Sequence, residues 1–475
     1  MRKAIIFLFV AVAVAGCTVG PDYKRPTIEA PQSFRYETKE VAETANTEWW
    51  KQFNDPVLDQ LIAEALANNK SVKIAAFNVA QAAGILMTTR SGLYPQVGYS
   101  ASAGRQRVSE NGAIVVPGQN PFTSISVLGG ASWELDLWGR IRRLSESAQA
   151  SLLASDEARR GVILSLVSQV AVAYIQLRAL DEQLRIAQRT LKTYQESLRL
   201  FELQFKYGLV SQMIVEQARS QYETAGAAIP QIDNQIALAE NAISILLGRN
   251  PGPSPRGRTL AELAMPAVPA GMPSELLERR PDIRQAEQNL IAANAQIGAA
   301  KAQYYPTISL TGALGVLSTE LGSLFNGPSG IWSFAGALTG PIFTAGKIKG
   351  QVMTAEAGQQ GALIAYQQAI QSAFADIENA LVSRQKLAEQ LAAEQKRVAA
   401  YQEYARLAWL QYNGGYTPYL NVLYAEAQLF PAELNVVQVR ATTFVSLANI
   451  YKAMGGGWVV EADKMTGQIA ETGNK

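Results

Sequence analysis

Apolar and polar positions alternate along residues 125–137. Ile125, Val127, Gly129, Ala131, Trp133, Leu135 and Leu137 fall on one face, and Ser124, Ser126, Gly130, Ser132, Glu134 and Asp136 on the other, with Leu128 the exception. The same period of two runs through Ile308, Leu310, Gly312, Leu314 and Val316, and through Trp332, Phe334, Gly336, Leu338 and Ile342. It is weaker over residues 97–103. This period predicts four β-strands in two pairs. Each pair is joined by a loop rich in Gly, Pro, Asn and Ser, SENGAIVVPGQNPF and STELGSLFNGPSG. Strands of about ten residues with aromatic ends resemble membrane strands; here the ends carry Tyr94, Tyr99, Trp133, Trp138, Tyr304, Tyr305, Trp332 and Phe343.

The remaining pattern is helical. Residues 140–207 contain no proline and only Gly161, and apolar residues recur at three- and four-residue steps: Val162, Leu166, Val170, Ala173, Leu177, Leu180, Leu184. At 1.5 Å per residue the predicted helix is on the order of 100 Å long. Residues 347–412 match it. The stretch 162–177 is apolar enough to suggest a membrane span, but Ser165, Ser168, Gln169 and Gln176 interrupt it, so a packed helix is expected. Each long helix meets a glycine break, KYGLVSQM or YNGGYTPYLN, and then a return helix started by Ser211 or Pro418. Small-residue and apolar stripes suit coiled-coil packing.

The two halves of the chain answer one another. Tyr94-Pro95 recurs as Tyr305-Pro306, 211 positions on; then, at an offset of 207, Gly139-Arg140-Ile141 recurs as Gly346-Lys347-Ile348, Gly208 as Gly415, Val215 as Val422 and Gly248 as Gly455. So long a period argues for duplication. The expected segments are residues 1–16, an export signal; 17–56, a lipidated N-terminal part; 57–248, the first repeat; 249–274, a Pro/Gly-rich linker; 275–455, the second repeat; and 456–475, a short, polar, loosely held tail. Four strands cannot close a membrane barrel, and an open edge in lipid costs several kcal/mol per unpaired group. The chain therefore must oligomerise. Two copies give a narrow, side-chain-filled barrel; three give twelve strands and room for a channel.

Composition narrows the chemistry. Of 475 residues 48% are hydrophobic and 17% charged. There is no histidine, which removes the commonest metal ligand and general base. No GxxxxGK[ST] loop occurs, and neither an enzyme's residue constellation nor a metal or cofactor site is expected. The basic Arg2-Lys3, the short apolar run and Val14-Ala15-Gly16-Cys17 resemble a bacterial lipoprotein signal, with the sole cysteine, Cys17, as the acylated first residue of the mature chain. Thr18, rather than Asp, follows it, which by analogy with lipoprotein sorting points to the outer membrane. Removing Arg2 and Lys3 leaves 40 basic residues against 40 acidic, a balance that gives no support for nucleic-acid binding.

GCTVGPDYKRP, WWKQFNDPVLDQLIAEAL at 49–66 and LLERRPDIRQAEQNLIAANAQIGAAKAQYYPTISLTG at 276–312 resemble the outer-membrane efflux lipoproteins of the TolC-type outer-membrane factor family, NodT-like branch. The resemblance covers essentially the whole mature chain. It implies a mixed α and transmembrane β fold: a homotrimer with a twelve-stranded β-barrel continued by a long periplasmic α-helical tunnel. It also implies an equatorial region built from N-terminal, linker and C-terminal segments. The function implied is a passive conduit for drugs or other small molecules, with a periplasmic adaptor and an inner-membrane RND-type transporter as partners and outer-membrane lipid around the barrel. A type I protein-secretion conduit and a non-conducting structural lipoprotein are the alternatives. By the same resemblance Gly208, Ser211 and Val215, with Gly415, Pro418 and Val422, hold the tip positions where an adaptor docks. Relatives close the tip with an Arg-Tyr pair and an Asp; this chain has Gln411-Tyr412 and Tyr424 there, so closure through tyrosine contacts is expected, with Glu216 or Glu426 in place of the missing carboxylate.

Overall fold

The computed structural model describes residues 18–27, 34–36, 48–109, 120–266, 268, 276–455 and 458–466. Cys17 and the export signal lie outside them. After a 3-10 turn at Trp49–Phe53 come α1 (Pro56–Asn68), α2 (Lys70–Ser91), β1 (Gln96–Gln106) and β2 (Phe122–Leu135), followed by α3 (Arg140–Lys206) and α4 (Gln212–Leu246). The second half has α5 (Pro281–Ala302), β3 (Thr307–Ser318), β4 (Gly330–Thr339), α6 (Lys347–Asn413), α7 (Leu420–Ala453) and α8 (Trp458–Met465). The chain divides into two compact units, one built on Asn78–Ser155 and Gln285–Tyr366, the other on Asp156–Arg284 and Gln367–Lys475 together with Ile28–Phe77.

The first unit carries a four-stranded antiparallel sheet in the order β1-β2-β3-β4. Its register keeps the predicted faces continuous across all strands. Tyr99, Gly129, Leu314 and Trp332 form one row on the apolar face, and Gln96, Ser132, Thr311 and Ala335 one row on the polar face. The apolar face is bare: Val97, Tyr99, Leu314, Trp332 and Phe334 are all more than two-thirds exposed. Ile342, expected to continue β4, falls beyond its end at Thr339, since Gly340-Pro341 intervenes and proline cannot donate to a ladder. Asp136, expected on the polar strand face, instead lies past β2. Its carboxylate accepts from the Ile141 and Arg142 backbone N–H at 2.9 and 2.8 Å, capping the start of α3 where the helix dipole favours a negative charge. Glu134 pairs bidentately with Arg140 through Nη2 at 2.8 Å.

Residues 18–27 are pinned to the same unit. Val19 N–H donates to the Trp138 carbonyl at 3.1 Å, Asp22 pairs with buried Arg143 at 2.6 Å, and Asn294 donates to the Pro21 carbonyl at 2.9 Å. The approach is so close that a Cβ on Gly298 would meet the Val19 carbonyl at 2.6 Å.

In the second unit α1, α3, α4, α7 and α8 pack around one large apolar core, and α6 joins two smaller clusters through Ile377, Ala380 and Leu381 and through Ala405 and Ala408. The most apolar stretch of α3 is 67% buried, as expected of a packed helix. Trp49, Trp50 and Phe53 are buried with Phe444, Tyr451 and Trp458; the Trp49 and Tyr451 rings stack at 5.1 Å. For residues 458–466 this corrects the expectation of a loosely held tail: Trp458, Val459 and Ala462 of α8 are buried, because the surface they cover belongs to residues some 400 positions earlier. Asp55, 1% exposed, accepts from the N–H groups of Val57 and Arg258 (both 3.0 Å) and from the Tyr174 hydroxyl (2.7 Å). One carboxylate thus caps α1 and ties the segment after Leu246 to α3.

Candidate functional site: the helical hairpin tips

Both hairpins turn by the same device. Gly208 (φ 72°) and Gly415 (φ 75°) end the long helices in the left-handed region, where a side chain is strained. Leu209 N–H reaches back to the Gln204 carbonyl and Tyr416 N–H to the Gln411 carbonyl, both at 2.9 Å, in the Schellman pattern. Ser211 stands at the N-cap of α4 with extended backbone, yet its hydroxyl makes no cap bond. Pro418 precedes α7 and accepts from Asn421 N–H at 3.2 Å.

Beneath the turns one cluster joins the four helices: Phe201 from α3, Val215 and Ala218 from α4, Ala405 and Ala408 from α6, and Tyr419, Val422 and Ala425 at and beyond the start of α7. Phe201 lies 4.3 Å from Tyr419 between ring centroids, and Tyr412 lies 5.7 Å from Tyr419 and 6.0 Å from both Phe201 and Trp409. The structure therefore sorts the expected residues. Gly208, Ser211, Gly415 and Pro418 are exposed, whereas Val215 and Val422, expected as docking positions, are buried at 5% and 0% and hold the hairpins together. Of the gate candidates, Gln411, Glu216 and Tyr424 are exposed; Glu216 lies 3.5 Å from Arg219, which also pairs with Glu202, and the Tyr424 ring lies 6.4 Å from that of Tyr404. Tyr412 is half-buried and Glu426 buried.

Sequence reasoning missed what Glu426 does. Its Oε1 accepts from the Trp409 indole N–H at 2.8 Å, its Oε2 has no partner among the described residues, and the Tyr194 hydroxyl of α3 donates to its backbone carbonyl at 3.2 Å. The aromatic run in α6 around Trp409 was the available signal. Burial raises the Glu426 pKa, against the smaller opposing effect of the Trp409 bond. Tyr194 and Tyr419 lie near it, and Glu433, further along α7, acts on Tyr194 and pairs with Arg189 at 2.7 Å. A raised folded-state pKa means the neutral carboxyl suits the packed tip. The penalty is absent at acid pH and grows as pH rises through the raised value. Hydrogen exchange of the tip amides is expected to speed up as pH rises through that range, beyond the intrinsic base catalysis, and Glu426→Gln is expected to abolish the excess. An equal excess in both proteins would show that Glu426 is not its source.

A sheet with a bare apolar face and two edges unpaired among the described residues, each strand pair followed in the chain by a helix of 67 residues, defines an outer-membrane channel protein. The chain belongs to the outer membrane efflux protein family, whose model matches residues 61–249 and 272–456. It is 37% identical to a toluene efflux pump outer membrane protein, TtgC, of Pseudomonas putida, over 99% of each chain. It is also 37% identical to the probable outer membrane lipoprotein SilC of Salmonella typhimurium, over 94% of this chain and 97% of that one. The open state of the Neisseria gonorrhoeae MtrE outer membrane channel matches 93% of this chain and 99% of its own, at 36% identity and a TM-score of 0.84. The chain is accordingly an outer-membrane efflux component, and its family is one of transport channels rather than of enzymes.

Proposed function

We propose that three copies of this chain close a twelve-stranded barrel, four strands from each, and that their helices continue it as a periplasmic tunnel. The carrying observation is the sheet: β1 and β4 are its unpaired edges, exposed along their whole length, and its apolar face suits lipid. The duct is passive and exports small molecules delivered by an inner-membrane RND-type transporter through a periplasmic adaptor. The likeness to TtgC, the outer membrane protein of a toluene efflux pump, supports the small-molecule reading over protein secretion. The exposed turns at Gly208, Ser211, Gly415 and Pro418 are the docking sites for the adaptor, held from beneath by Val215 and Val422. Tyr424, Gln411 and Glu216, all exposed, face the neighbouring copies and close the tip, while Tyr412 and Glu426 stiffen each hairpin from within. The two halves, 57–248 and 275–455, are duplicated units. The matching turn geometry at Gly208 and Gly415 supports this, as do the two separate family matches.

The first residue of the mature chain, Cys17, carries the lipid anchor. Thr18 lies against Gly139, at the junction of β2 with α3, where an acyl chain one residue earlier enters the same bilayer leaflet as the strand ends. Purified particles labelled with radioactive palmitate are expected to conduct in planar bilayers. Silent particles would refute the conduit, and label retained by Cys17→Ser would refute the anchor.

A further inference from the structure

The open edges of the sheet encode the register of the neighbouring copy. Crossing the sheet at right angles to its strands from Gln96 leads to Ser132, Thr311 and Ala335, and β4 continues four residues beyond, to Thr339. At the opposite rim the crossing from Gly330, the first residue of β4, leads to Val316, Val127 and Ala101, five residues short of the end of β1 at Gln106. The two rims thus drift by four and five residues over three steps, about one and a half residues per step. That drift is the strand tilt, since strands that lean in a level membrane must start progressively lower.

We propose that β1 of one copy pairs antiparallel with β4 of the next in the register that sets Gly98 against Thr339, Tyr99 against Leu338, Ser102 against Ala335 and Arg105 against Trp332. The proposal rests on the trimeric barrel above and specifies how its copies join. A fourth step at the same drift brings the slip per copy to about six residues. The slip must be even, because a one-residue change would turn Val97 and Tyr99 into the lumen beside outward-facing Trp332 and Phe334. Over three copies a slip of six tilts the strands by about 46°, close to the ~45° of membrane strands, for a rise of ~3.3 Å and a spacing of ~4.8 Å. A slip of eight tilts them by about 54°, outside the usual range. A slip of four gives about 35°, but the drift would have to stop at one rim and reverse at the other across the seam. The favoured register also places the Arg105 guanidinium beside the Trp332 indole on the outer face, at the rim away from the helices. There a cation–π contact and lipid headgroups both accommodate the charge. Small residues meet in the lumen, Ser100 against Ala337 and Gly104 against Ser333.

Cysteine pairs test the register, because directly opposed residues have Cβ atoms about 5 Å apart and diagonal neighbours about 7–8 Å, beyond the reach of a disulfide. Ser102→Cys/Ala335→Cys on the lumen face and Tyr99→Cys/Leu338→Cys on the outer face are expected to give covalent trimers on mild oxidation. The amount should exceed by about tenfold that from Ser100→Cys/Ala335→Cys or Gly104→Cys/Ala335→Cys. Each single-cysteine protein is the control. If an offset pair dominates, or if no pair links in a particle that native mass spectrometry weighs as a trimer, the register is wrong while the trimer stands. A monomer by mass overturns the trimer and the register with it.

Discussion

Asp55→Ala is expected to destabilise the helical unit by about 3–5 kcal/mol, because it removes a buried acceptor and leaves several donors without one. The carboxylate is 1% exposed and serves Val57, Arg258 and the Tyr174 hydroxyl together. Tyr174 is itself fully buried, and its hydroxyl also accepts from Gly257 N–H at 2.9 Å. Burial raises the tyrosine pKa, and the Asp55 bond adds to it, so the hydroxyl stays protonated as a donor at every physiological pH. Alanine therefore leaves the buried phenol without its acceptor and loosens the segment after Leu246, which Arg178 and Arg256 still tie to α3. A lowered thermal midpoint in detergent, with faster proteolysis within residues 249–266, is the expected result. A change under about 1 kcal/mol, the cost of an ordinary surface substitution, would contradict the assigned role. Tyr174→Phe separates the contributions, since it leaves the two backbone bonds to Asp55 in place.

Tyr424→Ala is expected to raise single-channel conductance severalfold, and Tyr412→Ala to lower stability instead. The two tyrosines stand one hairpin turn apart, yet the fold uses them differently. Tyr424 is 57% exposed, with the Tyr404 ring 6.4 Å away, so most of its ring is open to meet its counterparts in the proposed assembly. Tyr412 packs among Phe201, Trp409 and Tyr419 inside one chain. Planar-bilayer recording and thermal unfolding of both variants check the contrast. Tyr424→Phe distinguishes a hydroxyl bond from ring packing: conductance like wild type assigns closure to the ring. Unchanged conductance in Tyr424→Ala would remove this residue from the gate.

Most of the element order was legible because local period dictates it. Strict alternation around Ile125 and Ile308 can bury or lipidate only one face of a strand, and sixty-odd residues without proline and with a 3.6-residue apolar stripe have no alternative to helix. The observed β2 and α3 end within two residues of the expected bounds. The shortage of strands was legible for the same reason, since it follows from counting them. Local period also placed Gly208 and Gly415 at turns, because a helix must stop where the next residue takes a positive φ.

Inside and outside at the tips were decided only by tertiary structure. Glu426 and Glu216 are both carboxylates near the start of return helices, but Glu426 is sealed by Trp409 and Tyr194, while Glu216 stays in solvent beside Arg219. In the same way α8 reads as a polar tail until Trp49 and Tyr451 are brought beneath Trp458. The sequence by itself determined which segments are strand or helix and that the strands number four, because these depend on residues a few positions apart. Which charged and aromatic side chains are sealed, and how far each strand slips past the next, depend on residues hundreds of positions away, and only the packed chain brings those together.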